Sequence, residues 1–191
     1  MKHYISIIIL AIFLFSCNSH SKHWEAISQV ESYIEERPDS ALVVLEQIVP
    51  SELSSKEEKA KYSLLYSMAL DKNFVDKTDF EVLQPAIDYY EDNGSATDKL
   101  RTYYYQGRIY QNAGNNAFAM ESFVNALDKG VESNDNLTKA RTLVAQSTIY
   151  YSLYELDNFI ETSIRAASYF KQEEKYSSYA NCLIKIINGY T

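Results

Sequence analysis

One feature constrains this chain more than any other: it resembles itself at a fixed offset. When the sequence is slid by 41 residues, Tyr62, Leu65, Tyr66 and Ala69 fall on Tyr103, Gln106, Gly107 and Tyr110. Those in turn fall on Val144, Ser147, Thr148 and Tyr151. Farther on, Ala119, Phe123 and Ala126 fall on Ile160, Ile164 and Ala167. Spacings of three and four recur, and these belong to helices, not strands. This settles the ambiguous stretch Tyr103–Tyr110, whose tyrosines by themselves would also suit a strand. Self-similarity at a period between about 20 and 50 residues signals stacked structural units.

Composition agrees and excludes some functions. The chain has 191 residues, enough for one domain with a real core. It holds only five Gly and three Pro, which suits a helical chain better than a many-stranded one. Its net charge of -8 argues against a nucleic-acid binder, which would show a basic face. Its seventeen tyrosines offer apolar area with a polar tip, suited to gaps between packed helices or to interfaces.

The recurring residues resemble the tetratricopeptide repeat (TPR) family. In that family each repeat is two antiparallel helices, A and B. Tyr103, Gln106, Gly107 and Tyr110 match helix A, with Gln106 in place of the usual Leu. Ala119, Phe123 and Ala126 match helix B, and Val131 replaces the closing Pro. The step exceeds the family's usual repeat of about 34 residues, so longer links between repeats are expected. Together with the stretches EERPDSALVVLEQI and DKNFVDKTDFEVLQPAIDYYEDNG, the chain resembles the TPR lipoproteins of Bacteroidota. The resemblance implies an all-α fold, an α-solenoid of about four helix pairs plus a terminal helix. Helices are expected at about 22–36, 38–49, 55–72, 79–92, 96–113, 116–130, 137–154, 157–171 and 175–189. Pro85 lies inside the fourth and should kink or split it. Gly107 is expected where a helix B crosses closely, with Gly107→Ala tolerated and Gly107→Leu overpacked.

The amino terminus reads as an address. Lys2 precedes twelve almost wholly apolar residues, Tyr4 to Phe15. That is too short to span a membrane and fits a signal-peptide core. Leu14-Phe15-Ser16-Cys17 follows and resembles a bacterial lipobox. The resemblance implies cleavage before Cys17 and acylation of that residue, which gives stable membrane anchoring. Residues 1–16 are then a lipoprotein signal peptide, 17–22 a tether, and 23–191 the helical repeat domain. Position 18 is Asn and not the Asp that marks inner-membrane retention in enteric bacteria. No acidic cluster directly follows Cys17, as it tends to in surface-exported relatives. The expected location is the cell envelope, on the periplasmic side of the outer membrane.

Reactive constellations are sparse. His20 and His23 lie three apart with no third ligand beside them in sequence, so no metal site is expected. There is no phosphate-cradling Gly-rich loop and no G-x-S-x-G. Neither an enzyme nor a cofactor is expected. What remains is the groove that the family's A helices line. Its positions carry over to Arg101, Tyr104, Arg108, Gln111 and Asn112. At the 41-residue step they carry on to Thr142, Ala145, Ile149, Ser152 and Leu153. Arg101, Tyr104 and Arg108 share one helical face. Arg can hold a carboxylate at two points and Tyr can pack on apolar side chains, so an acidic segment is the expected ligand. The competing reading is that both arginines pair with neighbouring helices.

The carboxyl end carries Tyr179, Cys182, Leu183, Ile186, Ile187 and Tyr190 on one face of its last helix. Terminal repeats usually turn a polar face outward. This one predicts self-association, or recruitment of a partner, through 175–189. Two functional classes follow: a module that binds an unknown protein or peptide in its groove, or a structural subunit of an outer-membrane assembly. A shortened form of a longer TPR sensor is a third.

Overall fold

The computed structural model describes residues 20–189. Cys17, the lipobox, the signal peptide and Tyr190 lie outside the described residues. Within them the chain is all-α: α1 Trp24–Tyr33, α2 Pro38–Glu46, α3 Lys56–Lys72, α4 Gln84–Asn93, α5 Ala96–Asn112, α6 Asn116–Lys129, α7 Asn136–Ser152, α8 Leu156–Gln172 and α9 Tyr176–Gly189. A single 3-10 turn, Pro50–Glu52, joins α2 to α3. No helix among the described residues is long and apolar enough to cross a membrane. Each helix packs on the next in sequence, and α1, α3 and α5 each also pack on the next helix but one.

The helices begin where local chemistry dictates. Ser55 accepts from the Glu58 N–H, and Asp135 accepts from the Thr138 N–H. Ser95 forms a capping box with Asp98. Pro85 neither kinks nor splits α4 but lies in its first turn, where a missing N–H costs nothing. The helix expected at 79–92 therefore starts at Gln84.

The repeat is real, but its step is 40, not 41. The starts of α3, α5, α7 and α9 are Lys56, Ala96, Asn136 and Tyr176, each 40 residues after the last. The residues that end α3, α5 and α7 in the left-handed region are Phe74, Gly114 and Tyr154, again 40 apart. Burial confirms the shorter step. Phe123 is fully buried, while its partner at 41, Ile164, is 51% exposed. At 40 its partner is Ser163, which is buried. Ser67, Gly107 and Ser147 become one recurring small, buried position.

Gly107 lies at a close crossing, but closer than expected. A Cβ there would sit 2.4 Å from Cε1 of Phe123. Phe123 is fully buried and cannot give way freely, so even alanine strains this site, contrary to the sequence expectation. Tyr62, Tyr90, Tyr104 and Tyr105 are all buried between helices. Burial pushes their phenol pKa values upward, Tyr62 to about 12.

The tether expectation, which ran to Lys22, stops short. The amide and hydroxyl of Ser21 both donate to the Glu58 carboxylate, which also accepts from the Ser54 amide at 2.9 Å. His20 stacks on Trp24, and Lys22 and His23 both pair with Glu52. The helical body is thus fastened from His20 onward.

Candidate functional site

The 40-residue step places Arg141, Val144 and Thr148 of α7 where α5 carries Arg101, Tyr104 and Arg108. These two faces, joined by one face of α9, enclose a cleft of about 560 Å³. Tyr104, Arg108 and Gln111 line it from α5, and Arg141, Val144, Ala145 and Thr148 from α7. Ser178, Asn181, Cys182 and Lys185 of α9 form the far wall, and Phe170 of α8 adds an aromatic surface. The cleft is therefore largely apolar with a few cations and hydroxyls, a combination that suits ligand binding.

Most of the cations near the cleft already have carboxylate partners. Arg108 donates to Asp71 at 2.9 Å and to Gln111 Oε1 at 2.7 Å. Arg141 donates through both terminal nitrogens to Glu35, at 2.9 and 2.7 Å. Lys72 donates to the same carboxylate at 2.9 Å. Burial raises the Glu35 pKa, but Arg141 and then Lys72 more than reverse this and hold it at about 2. Away from the cleft, Arg101 bridges Asp135 at 2.6 Å and Glu31 at 3.2 Å, and Glu31 also pairs with Lys61. Lys61, Arg101 and Arg141 recur at the 40-residue step, and all three are met by carboxylates from the end of α1 or the turn after it.

Lys185 is different. It has no carboxylate partner among the described residues, and its ammonium lies 3.4 Å from Thr148 Oγ1. Burial lowers its pKa, and the nearby Cys182 opposes this weakly. Cys182 is itself buried, and its thiol is pushed up by that burial.

The expected groove residues separate into two groups. Tyr104, Arg108, Gln111 and Ala145 meet in the cleft. Arg101 and Arg108 pair with carboxylates of neighbouring segments, as the competing reading had it. Asn112 donates to the Lys77 carbonyl at 3.2 Å, in a separate recess under the 73–83 connection. Ile149 and Thr142 are core residues, and Leu153 is exposed at the end of α7. Ser152 donates to the Ile149 carbonyl. For Thr142, Ile149 and Leu153 the cause is the one-residue error in the step, because one residue turns a helical face by about 100°. Arg141, Val144 and Thr148 were within reach of the sequence at the right step. The contribution of Lys185 was not, since it depends on how α9 lies against α7.

Among the described residues no group of three or more His, Cys, Asp or Glu could hold a metal ion. Compared with protein-family models, with curated proteins and with solved structures, the chain matches none.

Proposed function

We propose that this chain is a lipid-anchored envelope protein whose TPR-like solenoid binds an acidic peptide or loop of another protein in the cleft between α5, α7 and α9. The anchor is Cys17, on the strength of Leu14-Phe15-Ser16-Cys17. The solenoid reading draws support from four helix starts at equal 40-residue steps and from the packing of α1, α3, α5 and α7 on one another. The observation that carries the binding reading is Lys185, a cation without a carboxylate partner among the described residues, set in a cleft with apolar walls. A ligand carboxylate there would gain a charge-assisted bond, and its neighbouring side chains would pack on Val144, Ala145 and Phe170. The paired arginines hold the walls in place, and Lys185 offers the free charge.

The test is crosslinking in the native envelope with a photoreactive group at Thr148, with and without Lys185→Glu. Capture of one acidic partner that Lys185→Glu reduces at least tenfold, with helical circular dichroism intact, supports this reading. Capture that is unchanged in the folded variant overturns it. The second reading, a structural subunit of an outer-membrane assembly, has its own support in the exposed apolar residues of α9.

A further inference from the structure

His20 already belongs to the folded body, and Cys17 lies only three residues before it. The His20 ring stacks on Trp24 of α1, with centroids 3.8 Å apart. Ser21 donates its amide and its hydroxyl to Glu58, which is fully buried in the first turn of α3. Lys22 and His23 meet Glu52 at 2.9 and 2.8 Å, on the turn that joins α2 to α3. The point where the chain leaves the fold is therefore fixed against α1, the Pro50–Glu52 turn and the start of α3.

We propose that this end of the fold rests on the phospholipid surface that holds the chain, a proposal that depends on the anchor at Cys17 put forward above. What selects a bilayer over another protein is the length of the tether. Three residues of chain span at most about 11 Å. The sulfur of an acylated Cys17 lies at the membrane–water boundary, because its acyl chains are buried below it. A body fastened from His20 onward must therefore keep this end beside the headgroups.

The residues exposed there tolerate that position. Among residues 20–25 and 49–59 the exposed charges are Lys22, Lys56 and Lys59 against Glu25, Glu52 and Glu57. This local balance limits the repulsion from an anionic surface that the net charge of -8 would otherwise bring. Lys56 and Lys59 form no ion pair among the described residues and are three apart, so they share one helical face. Lipid phosphates attract such cations. Val49 is half exposed, and Trp24 is a residue type that settles at the membrane–water boundary. The cleft is lined from α5, α7, α8 and α9, so none of its walls is covered by this contact.

The native full-length chain, extracted in detergent and reconstituted into vesicles of phosphatidylethanolamine and phosphatidylglycerol, tests this. Some headgroups carry a nitroxide, which quenches only indoles near the surface. Trp24 is the sole tryptophan, so its fluorescence reads this end directly and should fall. In the variant Trp24→Phe with Tyr154→Trp the indole sits on the exposed residue after α7, and the loss should disappear. Inserting about twelve Gly and Ser residues after Asn18 adds a mean reach of about 20 Å, which should reduce the quenching of Trp24 while the chain still floats with the vesicles. Wild-type protein that floats with unquenched Trp24 overturns the proposal and leaves the anchor standing. Equal quenching at Tyr154→Trp, or undiminished quenching with the lengthened tether, overturns it too. A chain that takes up no labelled fatty acid and does not float removes the anchor itself, and this proposal with it.

Discussion

Glu35, on the turn after α1, and Arg141 of α7 form a two-point ion pair across 106 residues of sequence. Lys72 of α3 joins the same carboxylate, so one side chain ties three repeat units together. Because the folded pKa of Glu35 is depressed to about 2, its contribution is present above the unfolded value near 4.5. It is lost as pH falls through that window toward 2. Glu35→Gln should therefore flatten the pH dependence of the melting temperature between those limits. At neutral pH it should cost about 1–3 kcal/mol, below the full cost of breaking a buried pair because the site is partly solvated. Urea melts at several pH values measure both. An unchanged acid slope in the variant would mean that another carboxylate governs acid unfolding.

Gly107→Ala should destabilise the protein by about 1–3 kcal/mol, since the new methyl overlaps the Phe123 ring. Helix propensity alone predicts the opposite sign, a gain of about 1 kcal/mol. Adding Phe123→Leu should restore part of the loss. Thermal denaturation of the single and double variants distinguishes the two effects.

Tyr154 holds a left-handed backbone with φ of 60° and is 87% exposed. It has little burial to lose. Tyr154→Gly should stabilise by about 0.5–1 kcal/mol, because relief of backbone strain exceeds the added chain entropy. Gly114, at the equivalent position with φ of 76°, should show the reverse. Gly114→Ala should destabilise by a similar amount, although a Cβ there meets nothing within 4 Å.

In a Cys17→Ser background, Cys182 should react slowly with a thiol reagent at pH 8 and rapidly once denatured. It is 2% exposed, and burial keeps its thiol protonated to higher pH. Immediate reaction in the native protein would mean that α9 detaches readily from α8.

Growth with a labelled fatty acid should label the protein, and Cys17→Ser should abolish the label. An unlabelled, freely soluble wild-type protein would remove the anchor from the proposed function.

The sequence alone determined the helices. Their signals are local: spacings of three and four, Ser55, Ser95 and Asp135 as caps, and Pro85 as a start. The last of these is ambiguous in sequence, because a proline at a helix start looks like one at a kink or break until the start is located. It also determined that units repeat, and that Gly107 sits at a close crossing. The exact step was not legible, because apolar residues in a helix recur at three and four. An offset of 40 and one of 41 then both match apolar residues to apolar residues. Only burial separated Ser163 from Ile164, and with it Arg141 from Thr142. What tertiary structure alone decided is which charges are already matched. Glu31 and Glu35 lie 70 and 106 residues from Arg101 and Arg141, and no short-range pattern connects them. Packing brings them together, because a guanidinium drawn partly out of water is stabilised by a carboxylate within hydrogen-bond reach, wherever in the chain it comes from.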